Sequence, residues 1–172
     1  MDNSGHGAER GYLLWRIEQV FEGEEKLMCD VCGGITVPEV SRSIEAGIRT
    51  FGWAMLYVEG DGERNPAFGY TIGLTQYDHP EIIVFDPVPA SAHLSLKPLA
   101  WAVLEGNTFG EGDDLTAFFP PPDRAELLQF PDSGAHLFTA NSIFRGASDP
   151  PLPALQLVRS SLSPLLSRRG GR

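Results

Sequence analysis

The chain is expected to fold as an α+β domain, a mostly antiparallel sheet with helices packed on it. Three observations point there. Residues 53–58 and 68–74 are apolar, strand-like runs separated by a Gly60-Asp61-Gly62 turn, the pattern of a hairpin with a long loop. Residues 81–85 (Glu-Ile-Ile-Val-Phe) are apolar on both faces, as in a central strand covered on both sides. Helix-period segments flank these runs.

In chain order, residues 1–10 are small and polar and are expected to fray. Leu13, Leu14, Ile17, Val20 and Phe21 then mark one face of a helix that Gly23 and its acidic neighbours interrupt. After a Cys29–Gly34 turn, Thr36-Val37-Pro38-Glu39 has the form of a capping box, and Val40, Ile44 and Ile48 form the apolar stripe of a second helix that Gly52 stops. The hairpin follows, with Phe68, Tyr70 and Ile72 on one face of its second strand. Pro87 and Pro89 end the central strand. Residues 90–105 read as a helix with Ala92, Leu96, Leu99 and Val103 facing the core. Pro98 is expected to kink or split it, and Gly106 or Asn107 to terminate it. Beyond the turn at residues 110–114 and the Pro120-Pro121-Pro122 loop, strands are expected at 126–130, 136–144 and 153–158. Residues 11–158 would form one domain, followed by a basic, flexible tail at 159–172.

Composition narrows the function. With 42% hydrophobic residues in 172, the chain can build a core without disulfides. Its 13 Lys and Arg stand against 23 Asp and Glu, a formal charge of −10. Without the tail's Arg159, Arg168, Arg169 and Arg172, residues 1–158 carry −14. Such a surface repels phosphate backbones, so no nucleic-acid partner is expected, and a basic protein partner suits it better. No apolar run reaches membrane-spanning length and no secretory leader is visible, so a cytoplasmic protein with reduced cysteines is the expectation.

The polar residues set against the apolar strands are the candidate site: Tyr70, Thr71, His79 and Glu81. As chemistry, His79 or Glu81 would serve as general base with Tyr70 donating to an oxyanion or leaving group. As structure, His79-Pro80 would terminate a loop, Glu81 would receive backbone or tyrosine hydrogen bonds, Tyr70 would pack in the core, and Gly69 and Gly73 would admit a neighbouring backbone. Cys29-Asp30-Val31-Cys32 has the spacing of half a zinc site or a redox dithiol. A second pair is missing, and buried thiols in a turn are the alternative. His79-Pro80-Glu81 with this pair does not make a deaminase motif, because the order is reversed and the histidine leads into a strand. Asn107, Glu111, Asp113 and Asp114 lack the alternating spacing of a calcium loop and read as a solvated turn. Phosphate-loop, dinucleotide and serine-elbow motifs are missing from the sequence. Phe118-Phe119, just before three prolines, would mark a protein contact if exposed.

The block Phe68-Gly69-Tyr70-Thr71-Ile72-Gly73-Leu74 with His79-Pro80-Glu81-Ile82 resembles a bacterial family known only as a domain of unknown function, numbered 4262. Gly52-Trp53, Leu99-Ala100, Gly106, Gly112-Asp113 and Ala154-Leu155-Gln156-Leu157-Val158 are similar too, so the likeness spans about residues 29–158. Family members commonly continue with a tryptophan, proline and aspartate segment, where this chain has Arg159-Ser160-Ser161. The resemblance implies a single domain and points to the Tyr70–Glu81 region, without naming a substrate. A weaker likeness, at the level of fold, connects the chain to suppressor-of-fused-like domains, which implies an immunity or interaction role. The expected function is therefore a binding or interaction module, immunity-like or regulatory. The alternatives are a small hydrolase or transferase using His79, Glu81 and Tyr70, and a zinc-stabilised domain.

Overall fold

Val40, Ile44 and Ile48 recur every four residues, which places them on one face of a helix. The computed structural model, which describes residues 12–15, 37–61 and 64–160, contains that helix as α1 (Val37–Phe51), with all three side chains buried. Gly52 stops it with φ +84° while its amide donates to the Ile48 carbonyl at 2.8 Å. Thr36 of the expected capping box, Cys29, Cys32, residues 16–23 of the expected first helix, the N-terminal ten residues and the tail beyond Ser160 lie outside the described residues.

Alternating apolar side chains then build the sheet. Strand β2 (Ala54–Val58) pairs antiparallel with β3 (Phe68–Ile72), and β3 with β4 (Glu81–Phe85). β4 runs parallel to the last strand, β6 (Ala154–Ser160), which pairs antiparallel with the edge strand β5 (Arg124–Gln129). With β1 (Tyr12–Trp15) on the outer side of β2, the order is β1-β2-β3-β4-β6-β5. The result is an α+β fold with a mostly antiparallel sheet, and β4 is central as its two-faced apolar run requires.

Helices cover both faces. On one, α2 (Pro89–Leu104) sets Ala92, Leu96, Leu99 and Val103 against Met55, Tyr57, Ile82, Val84, Leu155 and Leu157. Gly69 permits that approach, since a Cβ there would lie 3.2 Å from the Ala92 Cβ. On the other face, α1 packs with Leu56, Phe68, Tyr70, Ile72 and Ile83, joined by two short helices, α3 (Ser133–His136) and α4 (Phe138–Phe144). α2 ends in a Schellman motif, with Gly106 N–H on Val103 O at 2.9 Å, Asn107 N–H on Ala102 O at 2.9 Å and Gly106 at φ +96°.

Four expectations are corrected. Residues 12–15 form a strand, not the start of a helix, because pairing with β2 satisfies backbone groups along an edge that would otherwise lie open. Residues 136–144 are helical rather than extended. There Leu137, Ala140 and Asn141 are buried at helical spacing, and Asn141 latches the turn, its Nδ2 donating to Ser133 O (3.1 Å) and Leu137 O (2.9 Å) while its Oδ1 accepts from Leu152 N (2.9 Å). α2 continues unsplit through Pro98. The carbonyl that proline leaves without an amide partner belongs to Leu94, an exposed residue where water can replace the missing donor. Finally, β6 runs two residues past 158: Arg159 belongs to the sheet, not to the tail, and it donates to Ser95 Oγ (2.7 Å) and Asp123 Oδ2 (2.8 Å) with its guanidinium 4.9 Å from the Phe119 ring centroid.

Candidate functional site

The glycine after β3 makes the site. Gly73 adopts φ +120°, where a Cβ would lie 3.0 Å from Gly52 O, and the chain then winds into a short 3₁₀ turn, Leu74–Tyr77. Asp78 closes the turn in the left-handed region at φ 54°, its amide bonded to Thr75 O at 3.2 Å. Wound this way, the amides at the start of the turn point back at the first residue of β4, which is Glu81.

Glu81 is fully buried. Its Oε1 accepts from Gly73 N (2.9 Å), Thr75 N (3.1 Å) and Thr75 Oγ1 (3.0 Å), and its Oε2 accepts from Thr71 Oγ1 (2.7 Å). The Thr71 hydroxyl in turn accepts the Ile82 amide at 2.8 Å, so its own hydrogen is the one given to Glu81. The named β3–β4 pairs end at Tyr70 and Ile83, and Thr71 takes over from the backbone ladder at that point. The Glu81 amide reaches Pro153 O at 3.1 Å, just before β6. The Glu81 carboxylate thus ties β4 to β3 and the turn, while its backbone amide ties β4 to the residue before β6. Burial pushes the Glu81 carboxyl up from its ordinary range, and the bonds from Thr71, Gly73 and Thr75 pull it back.

The other two candidates have different partners. His79 is 3% exposed. Its Nε2 accepts the Phe109 amide at 3.0 Å, and because an amide only donates, that nitrogen is unprotonated and the hydrogen on Nδ1 goes to Pro80 O at 2.7 Å. Burial holds the ring below its ordinary pKa, against the Pro80 bond. Tyr70 belongs to the opposite face, among the α1-side core residues, where its hydroxyl accepts from Thr139 N at 3.3 Å and its ring meets Phe68 and Phe138. The structure therefore brings Thr71 and Glu81 into contact and gives His79 and Tyr70 separate anchors. None of the four lines the cavity of about 600 Å³ at the far end of the sheet.

Thr75, the Gly73 amide and the Phe109 amide were not among the sequence candidates. Gly73 was the one usable signal, as a glycine ending a strand. The segment with Asn107, Glu111, Asp113 and Asp114 is a turn in which Asp113 Oδ2 accepts Gly110 N (2.8 Å) and Asp114 Oδ1 accepts Thr116 N (2.9 Å). Among the described residues, no group of three or more His, Cys, Asp or Glu is placed to hold a metal. The expected Phe118-Phe119 pair is divided: Phe119 is buried under Arg159, and Phe118 is exposed with its ring edge on Phe109.

Fold and site together define an α+β domain whose signature polar residues brace the sheet from within. The family model described as Domain of unknown function (DUF4262) matches residues 47–163, and the chain belongs to this family. No curated protein and no solved structure matches it.

Removing the Glu81 carboxylate should orphan two backbone amides and two hydroxyls. Glu81→Ala is expected to lower the free energy of urea unfolding by about 3 kcal/mol or more, and Glu81→Gln, which keeps an acceptor at the Oε1 position, by about 1 kcal/mol. For His79 the folded pKa lies below the unfolded one, so the unfolded chain binds the extra proton first and stability rises with pH. Its contribution is full above the ordinary value of 6.5 and is lost as pH falls toward the folded value. The raised Glu81 carboxyl acts in the opposite sense, and wild type and His79→Gln share it. Urea midpoints of the two proteins measured from pH 8 down to about pH 5 should therefore show a steeper acid loss in wild type than in the variant.

Proposed function

We propose that the chain is a binding or interaction module, with an immunity-like or regulatory role, that contacts a basic protein partner. The observation that carries this reading is a contrast in exposure. Tyr70, Thr71 and Glu81 are fully buried and His79 is 3% exposed, whereas Tyr77 (40%), Trp101 (39%) and Phe118 (38%) stand open around the C-terminal end of α2. Phe118 leans on Phe109, which in turn meets His79, so this exposed ring rests on the braced end of the sheet. Glu105, Glu111, Asp113 and Asp114 lie in the same stretch of chain, and residues 1–158 carry −14. An aromatic surface with a carboxylate border suits a partner that presents Lys and Arg beside apolar side chains.

A hydrolase or transferase would need His79, Glu81 and Tyr70 to converge on an open pocket, and their burial and separate partners lend that reading no support. A zinc-stabilised domain would rest on Cys29 and Cys32, outside the described residues. No helix among the described residues is long and apolar enough to cross a membrane.

Site-specific photo-cross-linking in the native host tests the surface. A cross-linker at position 118 or 101 should capture one basic protein that a cross-linker at exposed Glu126 on β5 does not. The double variant Trp101→Ser, Phe118→Ser should weaken binding to that purified protein by about tenfold or more while its urea midpoint stays near wild type. Equal capture at all three positions, or unchanged affinity in the double variant, contradicts the reading.

A further inference from the structure

The end of the sheet opposite the Glu81 brace holds a cavity of about 600 Å³. It lies where β2 and β4 end, between residues 59–60 and 64–67 on one side and the segment that opens α2 on the other, and Tyr57, Glu59, Arg64, Pro66, Phe85 and Asp86 are among its lining. Strand ends and their loops are where folds of this kind place ligands.

The cavity walls are fixed by hydrogen bonds that need no ligand. The Tyr57 hydroxyl donates to Asp86 O at 2.9 Å, and Asp86 N donates to Ala67 O at 3.2 Å. The Asp86 carboxylate caps the start of α2, accepting Val88 N at 2.8 Å on Oδ1 and Ser91 Oγ at 2.6 Å on Oδ2. Asp61 holds the amides of Arg64 and Asn65, each at 2.9 Å. Pro66, Pro87 and Pro89 add stiffness. Such a cavity is preorganised, so binding would order little.

Its polar groups are one-sided. Because the Tyr57 hydrogen is spent on Asp86 O, the hydroxyl oxygen can only accept, and the Glu59 and Asp86 carboxylates likewise only accept. Burial with the nearby charges of Asp86 and Glu59 pushes the Tyr57 hydroxyl up to about 12, so it stays protonated and neutral. Among the described residues Arg64 is the one cation in the lining, against the carboxylates of Glu59 and Asp86. The Phe85 side chain and the prolines supply apolar surface beside these acceptors.

We propose that this cavity binds an organic cation, an ammonium or guanidinium head on a short apolar stem, with the head against Tyr57 Oη, Glu59 and Asp86 and the stem along Phe85 and the prolines. The head comes either from a free amine or guanidine or from a Lys or Arg side chain of another protein. The cavity shares no residue with the aromatic surface at the other end of α2, so it stands or falls separately from the interaction reading.

Isothermal titration of the full chain with n-butylguanidine, and with its neutral isostere n-butylurea, tests the proposal. Saturable binding of n-butylguanidine at millimolar concentration or below is expected, with n-butylurea weaker by about tenfold or more. Glu59→Gln, an exposed position where folding should be undisturbed, should weaken n-butylguanidine by about tenfold, and Arg64→Ala should leave it unchanged or tighter. A terminally blocked peptide with a single arginine separates the two sources: tighter binding than n-butylguanidine assigns the site to a partner's side chain, and loss of binding assigns it to a free molecule. Equal affinity for the cation and the urea, no saturable binding of either, or an unchanged Glu59→Gln overturns the proposal.

Discussion

A carboxylate taken wholly out of water must be met by donors, and in this protein Glu81 imposes that demand on everything around it. Its acceptors are satisfied only if β3 ends its pairing with β4 before Thr71, Gly73 turns through φ +120°, and the next residues wind into a 3₁₀ turn that aims the Gly73 and Thr75 amides inward. Since Glu81 opens the central strand and its own amide reaches the residue before β6, three strands meet at this one residue, β3 through its side chain and β6 through its backbone. Thr71 is indispensable in this scheme because a hydroxyl can accept from Ile82 and donate to Glu81 at once, which a valine of the same shape could not do.

The two ends of the sheet are built differently. At the braced end, the turn, His79 and Phe109 form a continuous set of contacts from β4 to the aromatic side chains beside α2. At the opposite end, backbone bonds and prolines hold a cavity open. α2 spans both ends, capped at its start by Asp86 and at its finish by Gly106 and Asn107, and Arg159 ties its Ser95 to β6 and to Asp123. The single parallel pair, β4 with β6, lets the carboxyl ends of both strands emerge at the cavity end.

The strands β2, β3 and β4, and helices α1 and α2, were legible because their apolar spacing was long and their punctuation was chemical: Gly52, Pro87 and Gly106 each stop an element for a stated backbone reason. Residues 12–15 were misread because four apolar residues fit either period, and only the edge of β2, over forty residues away, decides between them. Residues 136–144 were misread because the latch from Asn141 to Leu152 is a tertiary bond with no local trace. Within the site, the Tyr70, Thr71, His79 and Glu81 block stood out as polar residues beside a core, but the hydroxyl donors to Glu81 are Thr71 and Thr75, not Tyr70, whose hydroxyl meets Thr139 N. That Tyr70 shares a face with Phe68 and Ile72 follows from strand alternation, whereas that Thr75 would join Glu81 depended on where the β3–β4 ladder stops. Arg159 was assigned to the tail by charge alone, although an arginine can bury its stem against Phe119 and still pair its head.

The central claim is that Glu81 holds the Gly73 and Thr75 amides in a sealed structural brace. Residue-resolved amide hydrogen exchange in wild type and Glu81→Ala measures this directly. The account predicts that both wild-type amides exchange as slowly as those of β3 and β4, and that their protection drops in the variant before that of the strands does. Fast exchange of Gly73 and Thr75 in wild type, at rates typical of an open loop, would contradict it.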